Sequence, residues 1–111
     1  MERCPEPFEL EGFFETPYVS RYGNEGEGWW YDCLRFDRRG DEDHIVCEIE
    51  PGESEFRFMW STDGKVRIDV QLRFIQSLDI AISAGEEHLI GQVKENGVEQ
   101  MFKLSIKPVV A

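Results

Sequence analysis

The sequence predicts an all-β protein, an antiparallel β-sandwich or small barrel of about seven or eight short strands joined by hairpins. Three observations point there. Apolar and polar residues alternate through most of the second half, most cleanly over residues 65–74, where Val66, Ile68, Val70, Leu72 and Phe74 interleave with Lys65, Arg67, Asp69, Gln71 and Arg73. The steps Asp63-Gly64 and Asn96-Gly97, whose residues tolerate the positive φ of tight turns, separate apolar runs of strand length. No apolar stripe of helical spacing and useful length stands out.

From the N-terminus, Phe8 and Leu10 in PFELEGFFE suggest a short strand, and residues 11–27, with their Gly and Pro, suggest an extended loop. Residues 29–37 and 44–50 flank RRGDED as a hairpin centred near Gly40. That register puts Tyr31 and Cys33 on one face with Ile45, Cys47 and Ile49, and Leu34, Phe36 and Val46 on the other. Apolar groups on both faces suit strands held between two layers, or a bulge that switches face. Phe56, Phe58 and Trp60 share a face that assigns Trp60 to the core, and Ser61-Thr62-Asp63-Gly64 turns this strand into residues 65–74. Leu78, Ile80 and Ile82 repeat the alternation, Ala84-Gly85-Glu86-Glu87 turns the chain into HLIGQVK, and Asn96-Gly97 leads into MFKLSIK. In that last run Phe102, Leu104 and Ile106 face one way, Lys103, Ser105 and Lys107 the other, and Pro108 stops the strand.

A chain of 111 residues reads as one domain, residues 1–111, able to bury about two thirds of the surface its unfolded form exposes. With 41% hydrophobic and 32% charged residues it lies outside the disordered regime. No apolar run of about 18 residues spans a bilayer, and MERCPEPFELEG lacks the basic and apolar regions of an export signal. Cys4, Cys33 and Cys47 form an odd set with no CxxC spacing, which argues against a disulfide framework or structural zinc. The expected compartment is the reducing cytoplasm. Cys33 and Cys47 are either two buried thiols or a facing pair across their hairpin.

The net charge of −11 is unevenly distributed. Residues 1–55 hold 16 acids against five Arg and no Lys, whereas residues 56–111 hold seven acids and seven bases. Such a field argues against nucleic acid or an anionic membrane as partner and for a basic protein surface.

Residue types alone do not build a catalytic centre here. No GxSxG elbow is present, and abundant carboxylates on a small acidic domain read first as a solvated face. Asp41-Glu42-Asp43-His44 offers oxygen ligands without the DxDxDG spacing of a calcium loop, so it reads as a charged hairpin tip partly neutralised by Arg38 and Arg39. His44 and His88, far apart in sequence, read as surface or strand-end side chains rather than metal ligands. No cofactor or metal is expected. Trp29 and Trp30 are adjacent, and in a strand they would point to opposite faces, so at least one is a candidate for exposure.

These readings converge on a small non-enzymatic binding module, of the inhibitor or immunity type, that covers a basic partner such as a toxin or nuclease. Trp29 or Trp30 would supply the buried anchor beside Tyr31, and Glu25, Glu27, Asp41, Glu42 and Asp43 the steering rim. A β-sandwich binding a small ligand or carbohydrate, with or without catalysis, is the second class. An assembly subunit is the third, ranked lower because Lys103 and Lys107 are the kind of charge that blocks edge pairing, although a homodimer is compatible with the sequence.

Overall fold

A computed structural model describes residues 1–23 and 26–106, apart from the side chain of Glu27. Lys107 and the stop expected at Pro108 lie outside the described residues. Eight strands among them form two antiparallel sheets. The first contains, in spatial order, β1 (Tyr18–Ser20), β2 (Leu34–Arg39), β3 (Asp43–Glu50), β4 (Glu55–Thr62) and β5 (Lys65–Leu72). The second contains β6 (Ile75–Ser83), β7 (Glu86–Glu95) and β8 (Val98–Leu104). Neighbours in each sheet are consecutive in the chain, so the fold is two meanders joined through Arg73 and Phe74.

The sheets share one core. Leu34, Phe36, Ile45, Cys47, Ile49, Phe56 and Phe58 from the first meet Ile75, Leu78, Leu89 and Ile106. The ring of Phe56 lies 5.1 Å from that of Phe102 on β8, which joins the layers as a sandwich rather than a barrel.

The segment expected as a strand around Phe8 and Leu10 is instead the helix α1 (Pro7–Phe14). Pro7 suits the first helical position, and Glu6 and Glu9 form a reciprocal capping box. Leu10, Phe13 and Phe14 then fall at the i, i+3, i+4 spacing of one helical face and are fully buried. Phe8, on the other side, is 66% exposed. Burying two phenylalanines contributes about 1.5–3 kcal/mol each, enough to hold a helix too short to persist alone.

The β2–β3 hairpin also differs from expectation. Its register pairs Arg39 with His44 and Phe36 with Cys47, so the centre lies between Asp41 and Glu42 rather than near Gly40. The Gly40 N–H donates to the Asp43 carbonyl at 2.7 Å and closes the turn. An odd displacement of register exchanges the faces of one strand relative to the other. Leu34 and Phe36 therefore share the core face with Ile45, Cys47 and Ile49, while Cys33 lies on the opposite side from Cys47, near Glu48. The two thiols cannot face each other, and all three cysteines are free.

β5 is a strand, as its alternation predicts, but its apolar side is not half-buried. Trp60 pairs with Ile68 and Ser61 with Val66, so Arg67 is the extra residue of a bulge and Val66 is turned to the side of Ser61. Val66, Ile68 and Val70 are 61%, 40% and 38% exposed because the three-stranded sheet does not reach across the edge of the five-stranded one.

Candidate functional site

The residues expected to form a binding surface lie at the two ends of β3, about 25 Å apart for a strand of eight residues. At one end, Trp29, Trp30 and Tyr31 belong to a 3-10 turn (Gly26–Tyr31) rather than to a strand. The turn is anchored by Asp32, which is 1% exposed. Its carboxylate accepts hydrogen bonds from the Ser20 hydroxyl and from the N–H groups of Tyr22 and Cys33, the last two at 2.9 and 2.7 Å.

The strand argument for an exposed tryptophan does not hold in this geometry. Both indoles are half-buried, edge-to-face at 5.4 Å, and Trp29 packs against the core. The exposed aromatic is Tyr31, at 75%. Gly52 lies under the turn, and a Cβ there would stand 3.1 Å from the Trp30 carbonyl oxygen and 3.2 Å from the Tyr31 ring, a tight contact that would press on the turn. Tyr22, also exposed, donates its hydroxyl proton to Glu50 at 2.5 Å, and that hydrogen bond and charge push its pKa up to about 12. Glu50, Glu53 and Glu55 border this end; Glu25 and the side chain of Glu27 lie outside the described residues.

At the other end of β3, Asp41, Glu42 and Asp43 are exposed and make no ion pair among the described residues. The β4–β5 turn lies beside them, because Asp43 pairs with Thr62 and the Asp63 N–H donates to the Glu42 carbonyl at 3.0 Å. Asp63 thereby becomes a fourth carboxylate of the tip, unmarked in the sequence because only strand order makes the two turns neighbours. The local neutralisation expected from Arg38 and Arg39 is absent: Arg38 reaches Glu15 at 3.9 Å and Arg39 reaches Asp37 at 3.9 Å.

The other arginines of the first half are also engaged, Arg3 with Asp79 at 2.6 Å, Arg21 with Glu48 at 2.5 Å, and Arg35 with Glu48 and Asp37 at 3.4 and 3.6 Å. The outer face of the larger sheet is therefore an internally balanced charge ladder. Further negative charge lies at its two ends and on Glu2, Glu6, Glu9 and Glu11 in and before α1.

An apolar cleft of about 370 Å³ begins at the tip. Ile45, Phe58, Trp60, Ile68, Leu104 and Ile106 line it, with Asp43 and Arg38 at the mouth. Trp60, expected in the core, is only partly buried because β8 covers one side of it and nothing described covers the other. An alternating pattern reveals which residues share a face, but not where the opposing layer ends.

Groups with reactive chemistry are quiet. Desolvation pushes the Cys4 and Cys33 thiols up to about 12 and the fully buried Cys47 thiol higher than its ordinary range, so none is a thiolate near neutrality. His88, expected near the surface, is 5% exposed, with Nδ1 at 2.5 Å from the Ser105 hydroxyl and Nε2 at 3.9 Å from Glu86. His44 Nε2 lies 2.7 Å from Asp37. Among the described residues no three His, Cys, Asp or Glu side chains gather as metal ligands, and no helix is long and apolar enough to cross a membrane.

Neither the family models nor the curated proteins searched give a match to the chain. The fold is similar to that of a chain in the solved structure of a contact-dependent growth inhibition toxin–immunity protein complex from Klebsiella pneumoniae 342. The TM-score is 0.78 at 14% identity, over 96% of this chain and 90% of the other.

Proposed function

We propose that this chain is a non-enzymatic immunity-type protein that binds a toxin with a basic surface and blocks it. The observation that carries the reading is the near-complete fold likeness to a chain of a toxin–immunity complex, spanning 96% of this protein. Of the two roles such a complex combines, inhibition suits the chemistry better. The thiols are desolvated, His44 and His88 are held by Asp37 and Ser105, and a net charge of −11 opposes phosphate-bearing substrates.

The tip of Asp41, Glu42, Asp43 and Asp63 would steer a cationic surface toward the cleft, where Trp60 and Ile68 offer desolvated contact. Tyr31, Trp29 and Trp30 form a second contact region at the far end of β3, within reach of a partner of ordinary interface size. A small-ligand or carbohydrate site gains less support, because the carboxylates diverge to opposite ends of the sheet instead of converging on one cavity.

The test is neutralisation. A toxic polypeptide encoded beside this chain's gene should arrest a bacterial host when expressed alone, and growth should return when the chain is co-expressed. Continued arrest with both proteins present and soluble would overturn the reading.

A further inference from the structure

Two open sheets have four edges, and three of these are obstructed. β1 offers only three residues. β5 is broken by the bulge at Arg67, the usual device by which an edge is turned away from pairing. β6 is engaged by the N-terminus, since the Glu2 N–H donates to the Gln76 carbonyl at 2.6 Å and the Leu78 N–H to the Arg3 carbonyl at 2.9 Å. β8 is different. It pairs with β7 residue for residue from Val98 opposite Glu95 to Leu104 opposite Leu89, without a bulge, and no described segment runs along its other side.

We propose that this edge takes the β8 of a second copy, antiparallel, with Met101 on the two-fold axis. The sequence of β8 is self-complementary about that residue. Antiparallel pairing centred on Met101 puts Glu99 opposite the partner subunit's Lys103 and Lys103 opposite the partner subunit's Glu99, two ion pairs from one symmetric contact. On the core-facing side Val98 meets the partner's Leu104. Moving the axis to Gln100 or Phe102, a pairing offset of two residues, sets Glu99 or Lys103 against Met101 and loses both pairs. The lysine that looks like an edge guard is thus matched by a glutamate two positions beyond the centre.

Exposure points the same way. Met101 and Val98 are 64% and 58% exposed, and the uncovered Ile68 of β5 borders the cleft that Leu104 closes from the β8 side. A second β8 would extend the smaller sheet from three strands to six, toward the apolar groups of β5 that it now leaves bare. Lys94, 4.0 Å from Glu99, would continue the charge ladder across the joint. The interface is independent of any toxin.

Sedimentation equilibrium of the full chain, with Met101→Cys and charge-reversed variants, tests this. The wild type should show a concentration-dependent dimer. Met101→Cys should form a disulfide-linked dimer under mild oxidation, because directly opposed Cβ atoms in such a pair lie about 5 Å apart, whereas Gln100→Cys should not. Lys103→Glu and Glu99→Lys should each weaken association roughly tenfold or more, by converting two attractive pairs into two repulsive ones, and the double exchange should restore it. Circular dichroism melts verify that each variant is folded. A chain that stays monomeric to millimolar concentration overturns the proposal. So does a dimer that Lys103→Glu leaves intact and Met101→Cys fails to cross-link.

Discussion

Among the described residues the buried Asp32 carboxylate accepts from the Ser20 hydroxyl and from the backbone N–H groups of Tyr22 and Cys33, in the segments that bracket the tryptophan turn. Replacing it with alanine removes a charge-assisted acceptor and leaves the buried Cys33 N–H without that partner. Asp32→Ala should therefore cost about 2–4 kcal/mol in urea unfolding, with a loss of the near-ultraviolet signal of Trp29 and Trp30 at lower denaturant than the far-ultraviolet signal. Asp37 and Glu48 behave differently because they respond to pH. Burial opposes both charges, yet His44, with Arg39 and Arg35, outweighs it at Asp37, and Arg21 and Arg35 outweigh it at Glu48, so both carboxyls titrate below their ordinary values of 3.8 and 4.5. The unfolded chain then binds more protons than the folded one in the acid range. The stability these groups supply is complete above the ordinary carboxylate range and is lost as pH falls through it. The urea midpoint should drop between about pH 6 and pH 3, and drop less in a Glu48→Gln variant. A midpoint independent of pH over that interval would contradict the role given to both.

At the scale of elements, the β7–β8 pair shows how one residue sets the distance between strands and layers. Gly91 is opposite Phe102, and a Cβ on Gly91 would fall 2.0 Å from the ring. The ring occupies the space the glycine leaves and reaches Phe56 in the facing sheet. Gly91→Ala should displace it and cost about 1–3 kcal/mol in thermal or urea unfolding. In a Phe102→Ala background the same substitution should cost much less, since nothing remains to collide with. The helix α1 makes a complementary point. Its signals, Pro7 after Glu6, Glu9 three residues on, and Leu10, Phe13 and Phe14 on one face, are all written in the sequence, but they occupy barely two turns and compete with an equally short strand pattern. What favours the helix is the pocket over β2, where the ring of Phe14 stacks on that of Phe36 at 4.8 Å.

For the molecule as a whole, the quantity that matters is where the charge surplus goes. All five arginines of the first 55 residues are paired, which leaves the four-carboxylate tip as an uncompensated field at one end of the larger sheet. Changing Asp41, Glu42 and Asp43 together to their amides should slow association with a basic toxin about tenfold at low salt and flatten its salt dependence. Stability should move by less than about 0.5 kcal/mol, because the side chains are exposed and make no ion pair among the described residues. Stopped-flow binding at two ionic strengths and a urea titration separate these outcomes. A large loss of stability would instead mark the tip as structural.

Alternation and turn chemistry, which are local, were enough to read the all-β class, the hairpin turns at Asp63-Gly64 and Asn96-Gly97 and the presence of the strands of residues 55–104, though β5 ends at Leu72 instead of Phe74, β7 begins at Glu86 and β8 at Val98. Net charge, a sum over residues, sets the expectation of a basic partner surface, which the binding experiments above test. The tertiary structure decided the rest. The face of Leu34 and Phe36 followed from a hairpin centre displaced past Gly40, Asp63 joined the tip through strand order, and Trp60 and Ile68 remained only partly covered because one sheet is two strands wider than the other. Each of these depends on contacts between residues distant in the chain, and a period of two along a strand carries no information about which layer lies opposite or how far it extends.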